Sequence, residues 1–195
     1  MGIGGAGGNI LDRMIASSVS SIDEYLYINT DAHGIERSAA DRKIILGNGE
    51  WQPAVVACRL AWSERDRITV GIAETDVLLL IAGMGGSAGT AIAPVIANLA
   101  RENGALTIAL LVTPFGFEGR RQLTAGRGVL VMQRIADWAK VYSNDAFAHA
   151  VSRHKTRLQH FAIVSNAIID DARAVLSVVS EQQRLVDVYD IGQIG

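Results

Sequence analysis

The chain has little with which to build covalent or metal-centred chemistry. It holds one cysteine, three prolines and four histidines, and 6% of its residues are aromatic. With Cys58 alone no internal disulfide can form, and its place in an apolar helical pattern reads as an inert, buried thiol. The scattered histidines make no metal-ligand spacing. A net charge of −2 removes any general electrostatic case for nucleic acid or an anionic membrane as partner. Basic residues do gather at Arg120, Arg121 and Arg127, and again at Arg153, Lys155 and Arg157, but such groups ordinarily mark solvated helix faces. No apolar run approaches the ~20 residues of a membrane span, and no cleavable signal pattern is present. The expectation is a cytoplasmic protein. Repeats, low-complexity tracts and Pro/Ser-rich linkers are also missing.

What is present is an alternation. The chain has 195 residues, 49% of them hydrophobic, enough for one domain with a sizeable core. Apolar runs of strand character lie at 25–28, 43–46, 77–82, 106–112 and 138–142, with helical patterns at 9–18, 53–65, 90–101 and 120–135 between them. This order predicts an α/β fold: a parallel sheet with helices on both faces. From 157 to 181 an apolar stripe of 3.6-residue period, through Phe161, Val164, Ile168, Val175, Leu176 and Val179, predicts one long helix. At ~1.5 Å per residue it would span about 35 Å, more a central spine than a crossover.

Two glycine-rich stretches each lead into a helix: "GIGGAGGN" at 2–9 and "GMGGSAGT" at 83–90. Above the carboxyl ends of parallel strands, helix N-termini offer unpaired N–H groups and the positive end of a dipole, which suit phosphate. Glycine lets the backbone come close, and Ser87 and Thr90 could add hydroxyls. Neither stretch has the G-x-x-x-x-G-K-[ST] spacing or its lysine, which disfavours a P-loop enzyme. Asp31 sits near where a dinucleotide fold needs an acid, so an NAD- or FAD-type oxidoreductase stays open on pattern, although no hydride-transfer acid is evident.

"AGMGGSAGTAIAP", followed by "LARENGALTIALLVTPFGFEGRRQ", resembles the FtsZ branch of the tubulin superfamily, whose loop reads GGGTGTG and whose next strand ends in a PF-x-FEG-RRR-like run. "GIGGAGGNILDRMI" is similar to its first glycine loop and helix, "INTDA" to its second-strand loop and "SNDAF" to its N-D-x-L segment. The resemblance covers nearly the whole chain. It implies a three-layer, Rossmann-like nucleotide-binding domain at 1–156, a spine helix at 157–182 and an Asp-containing terminal loop at 183–195, with the family's second domain absent. It implies GTP or GDP as cofactor, with Mg2+ as candidate counter-ion.

Carried over residue by residue, Gly4, Gly5, Gly7, Gly8 and Asn9 match the first loop, and Gly85, Gly86, Ser87, Gly89 and Thr90 the second. Glu118 matches the ribose-contacting acid, Asn144 a position near the ribose and Phe161 the aromatic stacked on guanine; Ser165 and Asn166 stand where the base edge is read. A carboxylate can accept from a ribose hydroxyl, and a phenyl face can stack on a purine. Asp187 and Asp190 of "LVDVYD" match the acids that complete the GTP site of the next subunit, where carboxylates would orient water.

Departures from the family pattern weigh against strong catalysis. Ser87 and Ala91 add Cβ atoms to the second loop where the family has glycine, and Ala88 loses a threonine hydroxyl. "GNGEWQPAVV" brings Glu50 and Trp51 to where the family has an A-G-A-N-P-like phosphate loop, and Gln122 replaces an arginine. Weak or absent GTP hydrolysis is expected, at most completed in trans. Only Met1, Gly2 and Ile3 stand where the family has its first, central strand, so another segment should fill the gap or the pairing should be rearranged. The resemblance thus implies an FtsZ-like guanine-nucleotide-binding protein of cell division or the cytoskeleton. Its partners would be itself, head to tail, or a full-length FtsZ-type protein whose filament it modulates. The alternative is a nucleotide-independent structural protein that self-assembles on the same scaffold.

Overall fold

The computed structural model describes residues 1–150 and 156–191, leaving out the side chains of 148–150, 157, 158 and 182–191. Six parallel strands form one sheet: β1 (Gly2–Ile3), β2 (Leu26–Asn29), β3 (Arg42–Ile45), β4 (Val77–Gly83), β5 (Leu106–Thr113) and β6 (Trp138–Ser143), in the spatial order β3-β2-β1-β4-β5-β6. The helices are α1 (Gly4–Ala16), α2 (Ala32–Glu36), α3 (Ala54–Ser63), α4 (Arg65–Ile72), α5 (Ser87–Glu102), α6 (Arg120–Ile135), α7 (Asn144–Ala150) and α8 (Arg157–Ile191).

The near-continuous apolar runs of β4 and β5 are buried on both faces, which is why they show no polar alternation. Leu78, Leu80 and Ala82 point into a core shared with Ile92 and Ile96 of α5, Ala57 of α3, Ile68 of α4 and Met132 of α6. Leu79 and Ile81 point the other way, to Ile10 and Met14 of α1 and to Val164, Ile168, Ala172 and Leu176 of α8. The period of two along the strand thus makes three layers.

The central strand is present after all. Gly2 and Ile3 pair in parallel with Tyr27 and Ile28 on one side and with Ile81 and Ala82 on the other. Met1 extends the ladder: its amine donates to Leu79 O at 2.7 Å, and its carbonyl accepts from Ile81 N at 2.9 Å. These bonds satisfy the groups that a gap would have left unpaired. Neither another segment nor a rearranged pairing is needed.

Both glycine stretches are more helical than the sequence suggests. α1 starts at Gly4 rather than near Asn9, and α5 at Ser87 rather than at Thr90. The spine helix also runs further. It continues to Ile191, so residues 183–191, expected as a loop, are helical. One polar cluster fastens it to the sheet edge: Lys140 Nζ lies 2.6 Å from Asp171 Oδ2, and the Tyr142 hydroxyl donates to the same oxygen at 2.7 Å.

Candidate functional site

In the order β3-β2-β1-β4-β5-β6 the chain turns one way from β1 and the other way from β4, so the crevice above these two strands is the fold's natural ligand position. A cleft of about 820 Å3 lies there, its walls formed by the two glycine turns, the end of β5 and the start of α8.

Its floor is built by close backbone approach. Gly4 has φ of +67°, and a Cβ there would stand 2.9 Å from Gly89 N, so the starts of α1 and α5 abut. Gly86 precedes α5 without any side-chain cap, which leaves the N–H groups of the first turn, at Ser87, Ala88 and Gly89, facing an anion-favourable space at the positive end of the helix. α1 likewise begins without a side-chain cap. Gly4, Gly5, Asn9, Gly86, Ser87 and Gly89 all line the cleft.

The remaining loop residues do other work. A Cβ on Gly7 would meet Ile81 O at 2.4 Å, and one on Gly8 would meet the Tyr27 ring at 2.2 Å. These glycines let α1 lie against the sheet and do not line the cleft. Gly85 makes the turn before α5 at φ +89°, and its N–H donates to Thr90 Oγ1 at 2.7 Å. That bond holds the turn, so Gly85 and Thr90 shape the cleft from behind.

The upper wall carries the polar and aromatic groups. Asn144 is 4% exposed, and among the described residues its Oδ1 has no hydrogen-bond partner. A buried acceptor left open at a cleft wall is costly unless a ligand or water supplies a donor. Glu118 Oε1 accepts from Phe115 N at 3.0 Å, while Oε2 pairs with Arg121 Nη1. Phe161 is 44% exposed, with its ring centroid 5.8 Å from that of Phe115, which in turn stacks on Phe117 at 5.2 Å. Ser165 also lines the cleft; its hydroxyl donates to Phe161 O at 2.7 Å and keeps only acceptor capacity. Asn166 is exposed on α8 and does not line the cleft. The side chains of Asp187 and Asp190 lie outside the described residues.

Two expected departures take a different form. Trp51 does line the cleft, 67% exposed, but Glu50 does not: its carboxylate accepts from Asn48 Nδ2 at 2.9 Å. Gln122 does not line the cleft, and its neighbour Arg121 does. Arg13 and Asn29 also line it, and neither was foreseen. Arg13 stands four residues after Asn9 on α1, a spacing that the predicted helix at 9–18 already held but that nothing in the sequence tied to the cleft. Asp31, the acid of the dinucleotide alternative, is at the rim and caps α2 by accepting from His33 N at 3.0 Å. Among the described residues no group of three or more His, Cys, Asp or Glu is placed to hold a metal ion.

The model of the Tubulin/FtsZ family, GTPase domain, matches residues 1–152. Among solved structures the chain is similar to an FtsZ dimer, empty, from M. jannaschii, at 27% identity and TM-score 0.82, covering 90% of this chain and 52% of that one. It is also similar to CetZ2 from Haloferax volcanii, a GTPgS-bound protofilament, at 22% identity and TM-score 0.79, covering 90% and 56%. A protofilament of TubZ from Bacteriophage PhiKZ matches at 14% identity and TM-score 0.70, covering 89% and 54%. The last two identities speak to the fold alone. The chain spans about half the length of these proteins.

Proposed function

Because this chain belongs to the Tubulin/FtsZ family through its GTPase domain, we propose that its cleft binds a guanine nucleotide, GTP or GDP. The observation that carries this reading is the convergence, at the switch point of the sheet, of two uncapped helix N-termini with the open acceptor of Asn144. In this reading the phosphates sit over the first turns of α1 and α5, at Gly5, Gly86 and Ser87. The ribose meets Glu118 and Asn144, and the base lies against Phe161 beside Ser165. Mg2+ would come with the phosphates, as it ordinarily takes few protein ligands beside them.

The protein acts in the cytoplasm as part of an FtsZ-type filament, either by self-association head to tail or by joining a full-length FtsZ-type protein and modulating its filament. The similar FtsZ dimer and the CetZ2 and TubZ protofilaments support self-association. Hydrolysis is weak or absent, and at most completed by Asp187 and Asp190 of a neighbouring subunit. Trp51 at the cleft and a glutamine at 122 that does not line it support that part. Equilibrium dialysis with GTP and GDP tests the binding: dissociation constants below about 100 μM are expected, and no binding at that concentration contradicts it. Light scattering that rises only with nucleotide supports assembly of this kind. Equal scattering with and without nucleotide favours the nucleotide-independent scaffold.

A further inference from the structure

The cleft contains a guanidinium that no phosphate-loop pattern in the sequence marks. Arg121 begins three residues after Glu118, and its Nη1 pairs with Glu118 Oε2 across one helical turn. Its Nε points to Gly85 O at 3.4 Å, on the turn before α5. Nη2 is 4.0 Å from where a Cβ on Gly86 would stand, directly beside the uncapped first turn of α5. Among the described residues no hydrogen bond reaches Nη2. The side chain therefore bridges the ribose-side carboxylate and the glycine turn, with one nitrogen still free to donate toward the space between them. The neighbouring position that would carry this charge by resemblance, Gln122, does not line the cleft.

We infer that Arg121 is a phosphate-neutralising residue of this chain and that it exchanges partners when nucleotide binds. This rests on the nucleotide reading of the cleft. In this structure the guanidinium is held by Glu118. The Arg121 side chain is 56% exposed, so the pair is weakly held and readily exchanged. A ribose hydroxyl donating to Glu118 takes over part of the carboxylate, and the guanidinium turns its fork to the phosphate oxygens seated on α5. A planar fork of fixed donors suits phosphate in two-point contact, where an ammonium acts as a point charge. One residue thus couples recognition of the sugar to recognition of the charged tail.

The test is titration of a fluorescent GDP analogue into the wild-type chain, Arg121→Gln, Arg121→Lys and the double variant R121Q/Q122R, each checked for an unchanged thermal melting curve. Arg121→Gln is expected to bind about tenfold more weakly, Arg121→Lys in between, and the double variant no better than Arg121→Gln, because position 122 does not line the cleft. The gap between wild type and Arg121→Gln should shrink as NaCl rises from about 0.05 to about 1 M, since a partly exposed charge contact is screened. A purely structural defect in the turn would give neither lysine rescue nor that salt dependence. Wild-type binding with Arg121→Gln unchanged overturns the inference alone, as does full recovery in the double variant. A wild-type chain that binds no nucleotide overturns the nucleotide reading itself.

Discussion

Gly5 and Gly7 stand two residues apart on α1 and serve opposite purposes. A Cβ on Gly7 would be forced to 2.4 Å from Ile81 O, a backbone atom of the central strands that cannot move aside, whereas a Cβ on Gly5 meets nothing within 4 Å. Gly7→Ala should therefore cost about 3 kcal/mol, read as a lower urea midpoint at unchanged m-value. Gly5→Ala should raise stability by about 0.5–1 kcal/mol, since alanine restricts the unfolded chain and suits a helix. It should nonetheless weaken nucleotide binding, because its methyl enters the cleft. Equal stability of the two variants would contradict this division. The same ambiguity limited the sequence reading at this scale. An absent side chain looks identical whether it leaves a cleft open, as at Gly5 and Gly86, or admits a neighbouring strand, as at Gly7 and Gly8. Asn144 was named from the resemblance, and only the structure shows its buried open acceptor. Arg121 was visible only as one of a basic group, because its role depends on the tight turn at Gly85 and Gly86 that brings it to the cleft.

Among the elements, α8 is tied to the sheet edge by the polar cluster at Asp171. Burial raises the Asp171 carboxyl, but the Lys140 ammonium and the Tyr142 hydroxyl outweigh it and hold it below the usual carboxylate value. Burial, with Asp171 beside it, pushes Tyr142 well above the ordinary phenol value. A carboxyl depressed in the folded state adds stability that is fully present above about pH 5 and fades as pH falls through its folded value. Asp171→Asn should lower the melting temperature at neutral pH and flatten the acid limb of a melting-temperature profile. A profile parallel to wild type would contradict the tie. The strands β4 and β5 were legible because burial on both faces writes an unbroken apolar run. β1 was not legible: two residues carry no periodicity, and the strand exists because β2 and β4 offer ladders on either side. The starts of α1 and α5 were placed late because glycine, a poor helix former in isolation, is held in helical form here by contact with β4. α6 has the bounds expected, Arg120–Ile135.

At the scale of the whole molecule, the order β3-β2-β1-β4-β5-β6 decides where chemistry can occur. It opens a crevice beside the shortest strand and points two helix dipoles into it. The alternation of strands and helices indicated this architecture, while the motif resemblance indicated the ligand. Whether subunits associate belongs to surfaces the sequence does not announce, so nucleotide-dependent light scattering is the informative assay there. No helix among the described residues is long and apolar enough to cross a membrane. The central claim is that the space above β1 and β4 receives a guanine nucleotide, and a crystal structure grown with GDP tests it most directly. The account predicts phosphate density against the amides of Gly86 and Ser87, a ribose hydroxyl on Glu118 or Asn144, and the base beside Phe161. A fully liganded crystal with that space closed by the protein's own side chains, or with GDP bound elsewhere, would contradict it.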